Sequence, residues 1–265
     1  MQPRDLVHRL SFRAREAVTV SPPAWKRLAR LSEVEAGLDG EGQARLRELA
    51  AAYPLAEWER HCSLGEWRES LYALDAVRSF VPRVPTAGRC LDVGAKNGCM
   101  LAGLATAVPL CWDAVELDAH RRYAWGSTRR AYGERMAAAF PGCRFVAGDV
   151  RALGGPYALV TWFLPFLTHG PVRAWGLPPE VLAPEQLLRH VAGTLAPGGQ
   201  LLVVNQGTEE AGLQAALFER CGLRARPIGE VASPLSPYRR RRLGFLYQRE
   251  AGVGPPGFEP GTNPL

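Results

Sequence analysis

From Arg89 onward the chain alternates short apolar runs with helix-length segments, and this alternation constrains its fold more than any other feature. Arg89–Val93, Trp112–Leu117, Cys143–Ala147, Ala158–Phe163 and Gln200–Asn205 have the length and apolar content of strands. Helical segments are predicted at 97–107, 119–139, 185–195 and 209–221. In the third of these, Pro184 suits a first helical turn, and Leu188, Val191, Ala192 and Leu195 share one face. Gly126 and Gly133 interrupt the second. Short strands joined through helices require right-handed crossovers and a parallel sheet covered on both faces. The expected class is α/β, with a doubly wound, mostly parallel sheet.

Residues 1–84 read differently, as a helical N-terminal extension. Ser32 with Glu35, and Ser63 with Glu66, have capping-box spacing. Leu46, Leu49, Ala50 and Tyr53 form one apolar stripe, and Trp67, Leu71, Leu74 and Val77 a second. Pro82 and Pro85 end the pattern. At the other end, eight of the residues in 251–265 are Gly or Pro. That tail is expected to be disordered and to carry no function.

Composition narrows the classes of function. A chain that is 47% hydrophobic and 22% charged buries a core. The net charge of +6 comes almost entirely from arginine, since Lys26 and Lys96 are the only lysines. A nucleic-acid surface needs clustering as well as excess. Arg239–Arg242 is the one basic run, with Arg121, Arg122, Arg129 and Arg130 elsewhere; a solvated face is the favoured reading. Six cysteines stand singly, without a Cys-x-x-Cys pair, so no metal site is expected. No secretory signal is visible, which points to reduced thiols and a cytoplasmic location. Residues 152–172 carry no charge, but their Gly and Pro residues would break a lipid-exposed helix; a buried strand and loop is expected, with no membrane partner.

The chemistry-bearing residues follow the strands. Cys90-Leu-Asp-Val-Gly-Ala-Lys-Asn-Gly98 reads as strand, glycine turn and helix start. Gly94 and Gly98 let the backbone turn sharply and approach a ligand, and amides at the helix start can receive an anionic group. Twenty-two residues beyond Gly94, Glu116 ends the second strand, where a carboxylate can accept from a ribose diol. A dinucleotide dehydrogenase needs Gly-x-Gly-x-x-Gly, and Gly94-Ala-Lys-Asn-Gly98 has the wrong spacing.

Asp92-Val-Gly-Ala-Lys-Asn-Gly98, Val115-Glu-Leu-Asp118, Gly148-Asp-Val150 and Leu195-Ala-Pro-Gly-Gly-Gln-Leu-Leu-Val-Val204, in that order, resemble the class I S-adenosylmethionine-dependent methyltransferases. The resemblance covers residues 85–250. It implies a Rossmann-like, seven-stranded sheet, with Arg242–Gln248 as its last antiparallel strand, and S-adenosyl-L-methionine as cofactor. It further implies that Gly94, Ala95 and Gly98 face the methionyl portion, with Asp92 beneath its ammonium. Glu116 would hold the ribose hydroxyls and Leu117 the adenine face. Asp149 would accept from the adenine amine, and Val150 would donate from its backbone. Lys96 departs from the family, standing at the middle glycine of its first motif, where it narrows the pocket or brings a positive charge near the methionine carboxylate.

Methyl transfer needs an in-line acceptor rather than a covalent nucleophile, so no catalytic residue is assigned. After the fourth strand, Phe163-Leu-Pro-Phe166 lacks the polar residue of amino-methylating enzymes and the Pro-Cys of carbon-methylating RNA enzymes. An unidentified acceptor, by preference a small molecule, is expected. The alternatives are an inactive cofactor-binding or regulatory protein of the same fold and an RNA methyltransferase using the arginines. The Leu167–Ala183 stretch, lacking obvious structure, is a candidate lid, with His169, Arg173 and Trp175 as its substrate-side groups. The N-terminal helices are expected to cap the cleft or form part of the acceptor pocket.

Overall fold

The computed structural model describes residues 3–18 and 21–251. The expected 251–265 tail therefore lies almost wholly outside the described residues. The N-terminal region forms α1 (Pro3–Ala17), α2 (Leu31–Ala36), α3 (Gly40–Ala52) and α4 (Leu64–Phe80). The rest alternates as β1 (Arg89–Val93), α5 (Leu101–Ala107), β2 (Cys111–Glu116), α6 (Arg129–Ala137), β3 (Arg144–Ala147) and β4 (Tyr157–Phe163). It continues through α7 (His169–Ala174), α8 (Pro184–Gly193), β5 (Leu195–Gln206), α9 (Gly207–Arg220), β6 (Arg226–Glu230) and β7 (Arg242–Gln248).

The strands make one seven-stranded sheet in the order β3-β2-β1-β4-β5-β7-β6. All pairs are parallel except those of β7 with β5 and β6. The fold is thus Rossmann-like and doubly wound. Alternation within each strand feeds two cores. Cys90, Ala114, Leu159 and Leu202 pack toward α4 and α5, whereas Leu91, Val115, Val160 and Leu201 pack toward α8 and α9. Burial on both faces is why the central strands read as continuous apolar runs.

The helical extension shares the first of these cores. Trp67, Leu71, Leu74 and Val77 of α4 are fully buried beside residues of α5. Gly103 of α5 lies so close to α4 that an added Cβ would fall 1.9 Å from the Ser70 carbonyl oxygen. Ser63 and Glu66 form the expected capping box on α4, where Glu66 accepts from the Ser63 N–H at 2.8 Å. The box expected at Ser32 and Glu35 does not form. There α2 starts earlier, Glu33 accepts from the Arg30 N–H, and Glu35 instead pairs with Arg47 at 3.0 Å.

Several other expectations are corrected. The 119–139 helix is confined to Arg129–Ala137, because Asp118–Thr128 folds into turns and an isolated Arg122–Thr128 bridge, with Gly126 at φ 91°. The helix after Gly94 begins at Leu101 rather than 97, leaving a turn over 94–100. β5 starts five residues earlier than expected, and Pro197–Gly199 lies within it at a register shift from Tyr157–Leu195 to Leu159–Gln200. β6 escaped the sequence reading because it is largely exposed and carries Pro227 and Gly229. Leu167–Ala183 holds the short helix α7 and a 3-10 turn at Pro179–Val181. Among the described residues, no helix is long and apolar enough to cross a membrane, and no cluster of three metal-ligating side chains is present.

Candidate functional site

A cavity of about 310 Å³ opens at the carboxyl ends of β1, β2 and β4. That is where ligands enter open α/β sheets. Asp92, Gly94, Ala95, Glu116, Leu117, Asp149 and Val150 all line it. Gly98 does not. It stands at φ 71° in the same turn, and a Cβ there would touch Met136 at 3.4 Å. Gly94, at φ 75°, is the glycine that faces open space: an added Cβ would meet no atom within 4 Å.

The turn after β1 is tied to β2 by its own backbone. The Gly94 and Ala95 N–H groups both donate to the Val115 carbonyl, at 2.9 and 3.0 Å, and Gly98 N–H donates to Ala95 at 2.7 Å. Lys96 N–H donates to Glu116 Oε2 at 2.8 Å. The expectation that this turn offers free amides to an anion therefore fails for these four groups. Each already satisfies a partner within the protein.

Glu116 is correspondingly well occupied. Besides Lys96 N–H, its carboxylate accepts from Asp118 N–H at 2.8 Å and from the Arg129 guanidinium at 3.2 Å. With about four acceptor positions on a carboxylate, roughly one is left. Burial pushes the carboxyl above its ordinary range, against the pull of Arg129 and the two N–H donors. Asp92 is more isolated. Among the described residues only Thr161 Oγ1 donates to it, at 2.9 Å, and burial pushes its carboxyl up to about 7. Asp149 accepts from Arg151 N–H at 2.8 Å and from the Arg151 guanidinium. Burial opposes its charge, but Arg151 holds the carboxyl below its ordinary range.

Three side chains carry more of this site than their sequence positions announce. Arg129 is buried, pairs with Glu116 and at 3.7 Å with Asp118, and lies 4.8 Å from the Trp175 ring centroid. It is thus no member of a basic surface. Tyr238, just ahead of the arginine run, lines the cavity and donates its hydroxyl to Glu69 of α4. Arg242, the last arginine of that run, is buried under the Tyr238 ring at 4.1 Å and donates to Gln206 at 2.9 Å. Periodicity gives no sign of the pairings Arg129–Glu116, Arg242–Gln206 and Tyr238–Glu69, which span 13, 36 and 169 residues.

Lys96 has φ 52°. A non-glycine residue in this left-handed region costs about 1 kcal/mol. Its side chain reaches Glu69, with Nζ 3.4 Å from Oε1. Burial opposes its charge, yet the neighbouring Cys99 and Glu69 more than offset this and leave its pKa above the ordinary lysine value.

The segment after β4 closes one side. Phe166 and Trp175 meet edge to face at 6.0 Å, and both line the cavity. Of the groups singled out on this segment, Trp175 reaches the cavity. Arg173 pairs with Asp5 of α1 at 3.2 Å, and His169 is exposed and does not line the cavity. From outside, α1 clasps this segment through Phe12 against Val172 and Leu177, Arg9 with Glu180 and Arg15 with the Gly176 carbonyl, while Arg15 also pairs with Asp118 after β2 at 3.2 Å.

Among the family models and the curated proteins, none matches this chain. Solved structures do resemble it. A methyltransferase from Pyrococcus furiosus is 17% identical, with 66% of this chain and 80% of that one covered at a TM-score of 0.47. A putative S-adenosyl-L-methionine-dependent methyltransferase from Methanococcus maripaludis is 14% identical, covering 69% and 86%, with TM-score 0.48. A SAM-dependent methyltransferase from Aquifex aeolicus is 14% identical, covering 68% and 92%, with TM-score 0.48.

Proposed function

We propose that this chain is an S-adenosylmethionine-dependent methyltransferase whose cofactor occupies the cavity at the ends of β1, β2 and β4. The observation that carries the reading is convergence. Residues from three separated motifs, Asp92-to-Ala95, Glu116-Leu117 and Asp149-Val150, line one cavity. In this reading residues 85–250 form the transfer domain, and α1 braces from outside the segment that borders the cavity, while no described residue of 1–84 lines it.

The residues suit such a ligand. Gly94 leaves room where the backbone passes closest. Glu116 retains about one acceptor position for a ribose hydroxyl. Leu117 and Val150 offer apolar surface to an adenine ring. Asp149 takes an adenine amine once Arg151, which is largely exposed, gives up one of its contacts. Asp92 sits as a lone buried carboxyl where an ammonium is to be neutralised.

When bound, the cofactor supplies a methyl group on a sulfonium, which departs as a neutral thioether. What the chain contributes is position and dryness. Phe163, Phe166 and Trp175 wall off water, and the segment under α1 holds the ligand in the cavity. An in-line acceptor held near the methyl carbon then needs no covalent enzyme intermediate. The preferred acceptor is a small molecule, because a 310 Å³ cavity bordered by Phe166, Pro171 and Trp175 suits one better than a long polymer.

A second reading, a protein that keeps the fold without turnover, is favoured by Arg129 and Arg151, which occupy the two carboxylates a nucleoside would use. Titration calorimetry with S-adenosylmethionine and S-adenosylhomocysteine tests both. Binding of both, with transfer of labelled methyl groups to a fraction of cell lysate, is expected. Binding without any transfer supports the second reading, and binding of neither overturns both.

A further inference from the structure

The cavity spans two halves of the sheet. The residues proposed for the cofactor follow β1, β2 and β3, whereas Trp162–Phe166 end and follow β4, Gln206 ends β5 and Tyr238 precedes β7. In this second half the polar side chains are Gln206, Glu210 and Tyr238, set against an apolar wall that includes Phe163, Leu164 and Phe166. Gln206 turns its amide oxygen to Arg242, and Glu210 accepts from the Gln206 N–H with one oxygen, each at 2.9 Å.

Tyr238 is placed differently. Two neighbours fix its ring: the Arg242 guanidinium lies 4.1 Å from its centroid, and Tyr72 meets it edge to face at 5.4 Å. Its hydroxyl donates to Glu69 of α4. Glu69 does not line the cavity, but its two partners, Tyr238 and Lys96, do. Lys96, held above the ordinary lysine range, is a donor only. The Tyr238 oxygen, having donated to Glu69, still has the capacity to accept. Burial and the Glu69 carboxylate raise the Tyr238 hydroxyl above the ordinary tyrosine range, so it passes a proton on rather than ionising.

We infer that Tyr238 and Glu69 form a proton relay that serves a small-molecule acceptor of the phenol type. The inference rests on the proposed methyltransferase reading and gives its acceptor a chemical class, a hydroxyl on a flat apolar body. The acceptor hydroxyl donates to Tyr238 Oη. As the acceptor oxygen bonds to the methyl carbon, the carbon–sulfur bond breaks and its electron pair stays on sulfur. The acceptor proton moves to Tyr238 Oη while the Tyr238 proton moves to Glu69. A methyl ether, a thioether and a neutral Glu69 carboxyl result. A hydroxyl oxygen that is gaining a methyl group becomes positive and sheds its proton readily, so an ordinary carboxylate is base enough to end the relay. Tyr238 is the catalytic residue here, and Glu69 acts through it.

Binding and transfer test this separately. Phenol and anisole, which cannot donate, are titrated into the full chain loaded with S-adenosylhomocysteine, and into Tyr238→Phe and Glu69→Gln, with a denaturant midpoint for each protein. Phenol should bind the unaltered protein about tenfold more tightly than anisole, and Tyr238→Phe should erase the difference. Labelled methyl transfer from S-adenosylmethionine to phenol should fall about a hundredfold in both variants. The fall should be at least tenfold smaller with 4-nitrophenol, which sheds its own proton at mildly alkaline pH. A merely structural role would lower both transfers alike. Equal affinity for phenol and anisole, or equal losses with the two phenols, overturns the relay. An unaltered protein that binds S-adenosylhomocysteine but neither binds nor methylates a phenol overturns the acceptor class and leaves the cofactor reading standing. Failure to bind S-adenosylhomocysteine overturns that reading and the inference with it.

Discussion

Strand β2 carries two buried carboxylates three residues apart, and they have opposite surroundings. Asp113 lies near the strand's start, where Arg89, Arg144 and the Tyr157 hydroxyl donate to it at 2.5, 2.7 and 2.8 Å. Burial opposes its charge, but those donors hold its carboxyl below the ordinary range. Glu116 ends the same strand at the cavity, with two backbone N–H donors and one arginine, and its carboxyl is raised. One acid pins β2 to its neighbours β1 and β3 and, through Tyr157, to β4 beyond β1. The other is held ready at an opening. The difference teaches that burial and ion pairing alone do not mark a functional carboxylate. What sets Glu116 apart from Asp113 is an acceptor position still available toward a cavity.

The largest test breaks the pin. Asp113→Ala leaves the buried Tyr157 hydroxyl without its acceptor and strands two arginines, and should cost about 3 kcal/mol of stability. Thermal unfolding should shift down by about 10 °C, with affinity for S-adenosylhomocysteine unchanged in the folded protein. Lost affinity without lost stability would invert the comparison.

Glu116→Gln should do the reverse in part. It keeps one acceptor oxygen but loses the charge facing Arg129, so S-adenosylhomocysteine should bind about tenfold more weakly, roughly 1.4 kcal/mol. Because Lys96 and Asp118 N–H groups also rely on this side chain, some stability, about 1 kcal/mol, should go with it. Unchanged affinity in calorimetry would remove Glu116 from the ligand site.

Asp92 sharpens the comparison through pH. Its folded pKa, about 7, lies above the unfolded value near 3.9, so the folded state holds the extra proton between them. The stability it contributes is full below about pH 4 and is lost as pH rises through 7. Asp92→Asn should flatten that decline in denaturant midpoints measured from pH 4.5 to 8. A ligand ammonium beside Asp92 should favour the carboxylate, so binding of S-adenosylhomocysteine near pH 7 should release protons to the buffer.

The smallest effect is expected at the rim of the pin. Arg144 is half exposed and Arg89 can still serve Asp113, so Arg144→Ala should cost no more than about 1 kcal/mol in chemical denaturation. A loss as large as that of Asp113→Ala would show that Arg144 carries the pin by itself.

What the sequence determined by itself is local or periodic. Arg89–Val93 was legible to the residue, because Cys90, Leu91 and Val93 give a short apolar run, as burial on both faces demands, bounded by the glycine turn at Gly94. The Ser63–Glu66 cap, the α8 face behind Pro184 and the glycine turn were legible because each is settled by residues within one or two turns of chain. Three of the motifs then meet at one cavity. Tertiary structure decided what shares that cavity and what covers it. Arg129 reads as one of several scattered arginines until the Asp118–Thr128 turns bring it onto Glu116. Lys96, Glu69 and Tyr238 come from a loop, a helix and a second loop, and nothing in their spacing announces their meeting. The position of α1 over α7 rests on Asp5–Arg173 and Phe12–Val172, contacts across some 160 residues. Periodicity records which face of an element is buried, but the partner across that face is set by chain closure and packing, which no local pattern encodes.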